Sequence, residues 1–253
     1  MSNHTYGLEF EVIDLMPRQA ASAISRAGIT CQAQDYNHTT ASTWKALRDG
    51  SLPSDSAEVV SPILDADSLN EAKIVARALQ GAGARVTQAA GFHVHMGYDR
   101  IGKDALAQLV VNYYAVHHAT GMLVAPSRLN SRWARTVDSS RAEVLADAIR
   151  NENLNWDSQD RYYSLNLNSI ARHGTIEFRL HQGTLNATKA LAWVDYLTAM
   201  VNFSADGNAF NIVAGRTMDT LVQVTRDLMG YGLTERNMHY LLTRAEDIAG
   251  RQA

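Results

Sequence analysis

Four stretches of this chain carry side chains that could do chemistry. Glu9 and Glu11 stand in GLEFEV, Glu58 in AEVVSPIL, His93 and His95 in GFHVHMG, and Glu177 and Arg179 in TIEFRL. Residues two apart on a β-strand share a face, so each stretch reads as one apolar face and one polar face. Leu8, Phe10 and Val12 back the first, Val59 the second, Phe92, Val94 and Met96 the third, and Ile176, Phe178 and Leu180 the fourth. A face that is merely wetted usually carries Lys, Thr, Ser and Gln, yet none of these four carries a lysine. Glutamate is a poor strand former, and two on one face repel each other. The bland alternatives are solvated edges and hydrogen-bonded surface histidines. If the faces instead line one concavity, four carboxylates raise one another's pKa unless cations neutralise them. Two divalent ions balance four carboxylates. Oxygen-rich donors favour Mg²⁺ or Mn²⁺, and a histidine among them suits Mn²⁺. Two such ions with arginines nearby are the usual apparatus of phosphoryl transfer.

The elements that must position these groups follow from pattern. Residues 161–183 read as two strands joined by a turn at 171–174, with Asn166, Glu177 and Arg179 on the polar side, forming the floor of an active site. The strand over 7–12 is followed by a helix that begins after Asp14, has Pro17 in its first turn and stops at Gly28. Residues 29–35 and 42–48 read as short strands around a polar turn at 36–40. Asp49-Gly50-Ser51-Leu52 is a tight turn, and Glu58 begins a strand that Pro62 ends. Asp67 or Ser68 caps a helix to about Gly81, and 85–98 is a strand ending in the two histidines. One long helix is expected over 103–123, with Tyr113, Tyr114, His117 and His118 as packing or boundary residues. Arg128, Arg132 and Arg135 are spaced through an irregular segment, where guanidinium forks suit phosphate or carboxylate. Ser139 or Ser140 caps a helix to about Arg150. Three amphipathic helices, from Asn186 to about Phe203 and over 217–229 and 234–248, are expected to cover the outer face of the sheet.

Composition bounds the class. With 253 residues, 46% of them hydrophobic, the chain can bury a full core, and no linker, boundary or internal repeat interrupts it. A net charge of −3 without a basic block argues against nucleic acid as a principal partner. The single cysteine, Cys31, excludes a disulfide framework, suits a reducing cytoplasm and reads as a packed thiol. No run approaches the roughly 20 apolar residues of a membrane span, and the N-terminus lacks the pattern of a signal peptide. There is no GxxxxGK[ST] loop, so a nucleotide would be held through metal and arginine.

The series GLEFEV, DGSL, EVVSPIL, GFHVHMG, RYYSLNLNS and TIEFRLHQGTLN resembles the amidoligase family over residues 6 to about 196. That family belongs with the carboxylate–amine ligases related to glutamine synthetase and glutamate–cysteine ligase. The resemblance implies an α+β fold, an antiparallel sheet with a concave polar face and helices on the outer face. It implies an ATP-dependent ligase that joins a small-molecule or peptide carboxylate to an amine through an acyl phosphate. It implies two Mg²⁺ or Mn²⁺ ions on Glu9, Glu11, Glu58, His93 and Glu177, with His95 at a nucleotide phosphate. Arg179 would bind the substrate carboxylate or the transferred phosphoryl group. Arg128, Arg132, Arg161 and Asn166 would contact the nucleotide. Asp49 is similar to an aspartate that deprotonates the incoming amine in glutamine synthetase, although its place in the chain differs. A metal-dependent hydrolase using the same Glu/His cluster and a non-catalytic nucleotide-binding relative are the alternatives.

Overall fold

The structure is a computed structural model that describes residues 4–37, 39–211, 215 and 217–251. His38, in the polar turn expected at 36–40, lies outside the described residues. The chain is mixed α/β and divides into two compact units, Asn3–Met96 with His181–Leu191, and Gly97–Leu180 with Ala192–Ala253.

The first unit is built on β1 (Tyr6–Ile13), which pairs antiparallel with β4 (Ser56–Val60) on one side and β5 (Phe92–Gly97) on the other. β3 (Trp44–Leu47) adds antiparallel to β4, and β2 (Cys31–Ala33) adds parallel to β3. The antiparallel expectation therefore holds for the pairs that carry the polar residues and fails at β2. The sequence alternation is realised in burial: Leu8, Phe10, Val12, Val59, Phe92, Val94 and Met96 are all buried. Phe10 and Phe92, paired in register, bring their rings to 4.8 Å. Each such side chain contributes about 1.5–3 kcal/mol by leaving water, which fixes the register, since a slip of one residue would invert every face. Helix α1 (Pro17–Arg26) starts at its proline as expected. Asp67 is the N-cap residue of the next helical stretch, as expected, but the capping side chain is that of Asp65, whose Oδ1 accepts from the N–H groups of Asp67 and Ser68. A 3₁₀ turn there leads into α2 (Glu71–Gly81). Residues 85–91 are not strand apart from single bridges, so β5 is half the expected length.

The second unit corrects two expectations. The helix over 103–123 is broken: α3 (Lys103–Ala115) stops where Val116 leaves helical geometry (φ −100°, ψ 10°), and α4 (His117–Thr120) and a 3₁₀ turn follow. Residues 161–183 are not a simple hairpin. β6 is only Leu165–Asn166, α7 spans Asn168–His173, and β7 is Thr175–Phe178. Asn168 is drawn out of the strand because its N–H donates to Asn166 Oδ1 and its amide reaches the carbonyls of Trp156 and Asp157. Gly174, at φ 66°, closes that helix and returns the chain. The arginine-rich segment begins with a short helix, α5 (Pro126–Leu129), and Asp138 rather than Ser139 or Ser140 caps α6 (Ser139–Arg150) by accepting from the Arg141 N–H. α8 (Ala187–Ala205) has residues in both units and is headed by Asn186, whose Oδ1 accepts from the Lys189 N–H. α9 (Met218–Met229) and α10 (Glu235–Gly250) are capped by Thr217 and Thr234, close to expectation. Among the described residues no helix is long and apolar enough to cross a membrane.

Candidate active site

In the first unit the three central strands bring five of the expected residues onto one face. Glu9 lies opposite His93 across β1 and β5, Gly7 opposite His95, and Glu11 opposite Glu58 across β1 and β4. His93 Nδ1 sits 2.9 Å from Glu9 Oε2, and His95 Nε2 sits 3.2 Å from Glu9 Oε1. A carboxylate can only accept, so in a neutral His93 this pairing places the proton on Nδ1 and the lone pair on Nε2. That Nε2 is 3.8 Å from Glu11 Oε1, beyond hydrogen-bond reach but a spacing that two ligands of one cation can have. Burial opposes ionisation of Glu9, but the imidazoles of His95 and His93 outweigh it and hold its carboxyl well below the usual range. The Gly91 N–H donates to Glu11 Oε2 at 2.5 Å, fixing the orientation of a side chain that is only 6% exposed.

Asp49 joins this acidic face. One carboxylate oxygen from each of Glu11, Asp49 and Glu58 lies within 4.8 Å of the others, so the three could hold a metal ion. Asp49 is set in place by Ser51, whose N–H and hydroxyl both donate to it at 2.8 Å. The sequence reading missed Lys45. By register it lies beside Val60, the partner of Glu9, so the same face does carry a lysine, on a strand outside the four first considered. It is buried, and its ammonium donates to Asn37 Oδ1 (3.0 Å) and the Thr39 carbonyl (2.6 Å). Desolvation lowers its pKa, and the negative field of Glu58 and Glu9 acts in the opposite sense. The signal was present in TWKAL, where Trp44 and Ala46 alternate with Lys45.

The second unit holds Asn166, Glu177 and Arg179 together. Asn166 pairs with Glu177 across β6 and β7 and donates to its Oε2 at 2.5 Å, while Arg179 forms an ion pair with Glu177 Oε1 and donates from Nε to the Trp133 carbonyl. Glu177 is 4% exposed, and its charge is matched by the adjacent guanidinium. Arg128 is buried, and its Nε and Nη2 donate to the carbonyls of Leu180 and Arg179, so it braces the backbone that carries Arg179. Arg132 and Arg161 are exposed, stacked over the rings of Trp133 and Tyr162 respectively. Those two rings in turn meet edge to face at 4.8 Å.

A family described as "Putative amidoligase enzyme" matches residues 2–201. The chain belongs to the amidoligase family. No curated protein matches it. The motifs that suggested the family fall within the matched span of this amidoligase, which includes both groups of polar side chains. An amidoligase is an enzyme of the ligase type, and among the described residues its first unit brings the carboxylates of Glu9, Glu11, Asp49 and Glu58 and the imidazoles of His93 and His95 onto neighbouring strands and one turn. Such a hard, oxygen-rich set with nitrogen in the minority fits Mg²⁺ or Mn²⁺ better than zinc or copper.

Proposed function

We propose that this amidoligase is an ATP-dependent carboxylate–amine ligase with a glutamine synthetase-like sheet, helices on its outer side and a cytoplasmic setting. The observation that carries the reading is the cross-strand set of Glu9, Glu11, Glu58, His93 and His95 within a chain of this family. Glu9, Glu11, Glu58 and His93, with Glu177, are the side chains assigned to two divalent ions. Bound there, the ions would neutralise phosphate charge and so favour phosphoryl transfer.

The chain's own residues take the remaining roles. His95 binds a nucleotide phosphate. Arg179 neutralises the substrate carboxylate and then the phosphoryl group it acquires, a task suited to a planar fork of donors. The carboxylate oxygen attacks the γ-phosphorus of ATP, ADP leaves, and an acyl phosphate forms. The amine then attacks the acyl carbon, the carbon–oxygen bond to phosphate breaks, and the amine's extra proton passes to Asp49. Ser51 keeps that carboxylate in place. Arg132, Arg161 and Asn166 are assigned to the nucleotide, and Arg128 to the support of Arg179.

The test is a phosphate-release screen of paired carboxylates and amines with Mg·ATP. The reading expects ADP and phosphate only when metal, ATP, carboxylate and amine are all present, and expects Glu177→Gln to abolish turnover. Full activity in Glu177→Gln, or cleavage of a substrate that depends on metal but ignores ATP, would overturn it.

A further inference from the structure

Gly91 stands immediately before β5, and its backbone does not explain why it is glycine. It is not among the positive-φ glycines, so a left-handed backbone is not what requires glycine there. What a side chain would meet does explain it. A Cβ at position 91 would lie 2.4 Å from His93 Nε2 and 3.0 Å from His93 Cδ2. No Cβ sits that close to another heavy atom, so the imidazole would have to swing away. It cannot do so freely: the His93 side chain is 4% exposed, and its Nδ1 is held 2.9 Å from Glu9. The same glycine reaches Glu11 twice. Its N–H donates to Glu11 Oε2 at 2.5 Å, and its carbonyl accepts from the Glu11 N–H at 3.3 Å.

We propose that Gly91 is a positioning residue for a cation at His93 and Glu11. Its missing side chain is the space in which His93 Nε2 faces Glu11 Oε1, and its N–H occupies the other Glu11 oxygen. This rests on the metal reading above. Gly91 acts through His93, so its effect must vanish when the imidazole is removed.

The experiment is a double-mutant cycle on the full chain, with Mn²⁺ affinity by calorimetry and melting temperature as readouts. Gly91→Ala is expected to weaken Mn²⁺ binding by roughly tenfold to a hundredfold, the range typical of groups that orient a metal ligand. In the His93→Ala background, Gly91→Ala is expected to change neither affinity nor melting temperature. Unchanged Mn²⁺ affinity in Gly91→Ala overturns the proposal, as does an equal loss in both backgrounds. If Gly91→Ala alone does not fold, a folded Gly91→Ala/His93→Ala chain supports the steric coupling and an unfolded one refutes it. Failure of the unsubstituted chain to bind Mn²⁺ is a separate result, which removes the metal reading itself and this inference with it.

Discussion

Glu9 and His93 are direct cross-strand partners on β1 and β5, with His93 Nδ1 2.9 Å from Glu9 Oε2. The pair does two things at once: it supplies negative charge to the face, and it orients the His93 ring through Nδ1. Glu9→Gln keeps an acceptor for the ring but removes the charge. It should weaken Mn²⁺ binding by about tenfold to a hundredfold and lower turnover with it, read by calorimetry and phosphate release. Wild-type affinity in Glu9→Gln would count against the role.

Glu11 and Glu58 face each other across β1 and β4, and like charges so placed destabilise a strand pair. Glu58→Gln should therefore raise stability in EDTA by roughly 0.5 kcal/mol. It should also diminish the rise in melting temperature that Mg²⁺ or Mn²⁺ gives the unsubstituted chain. Urea midpoints in EDTA and melting curves with added metal measure the two effects separately. A variant that loses stability in EDTA and keeps the full metal response would contradict both expectations.

How far the sequence could be read depended on which forces acted locally. The polar faces of β1, β4, β5 and β7 were legible because a period of two survives whenever one side is buried, and Phe10, Val59, Phe92 and Phe178 are buried. Residues 167–174 misled because Asn166 and Asn168 mimic a strand's alternation, whereas their amides satisfy backbone groups that bend the chain into α7. The break after α3 left no Pro or Gly in the sequence, so an apolar stripe ran through it unmarked. Lys45 and Gly91 escaped notice for another reason. A lysine on a fifth strand and a glycine without positive φ acquire meaning only when the register shows what lies beside them.

His117 lies in the second unit among the rings of Tyr113 and Tyr114. Burial, with a smaller contribution from His118, pushes its pKa down to about 4 from an ordinary 6.5. The unfolded chain thus takes up a proton between those values while the folded chain does not. Stability from this residue is full above pH 6.5 and falls as the pH drops toward 4, by at most roughly 3 kcal/mol. The urea midpoint of His117→Phe should fall less steeply over that window than that of the unsubstituted chain. Identical slopes would refute the assignment.

Cys31 is buried at the start of β2, and desolvation pushes its thiol up to about 12. A thiol is a nucleophile only as thiolate, so Ellman's reagent should leave the native protein unlabelled and react stoichiometrically in urea. Rapid labelling under native conditions would show that Cys31 is reactive and not merely packed.

The most direct measurement follows the oxygen atoms. The carboxylate identified in the phosphate-release screen is labelled with ¹⁸O in both oxygens and turned over with Mg·ATP and its amine, and the released phosphate is weighed by mass spectrometry. Attack of that carboxylate on ATP predicts one ¹⁸O atom in each phosphate released. Phosphate that carries only oxygen from ATP and water would contradict the acyl-phosphate route, and with it the proposed ligase.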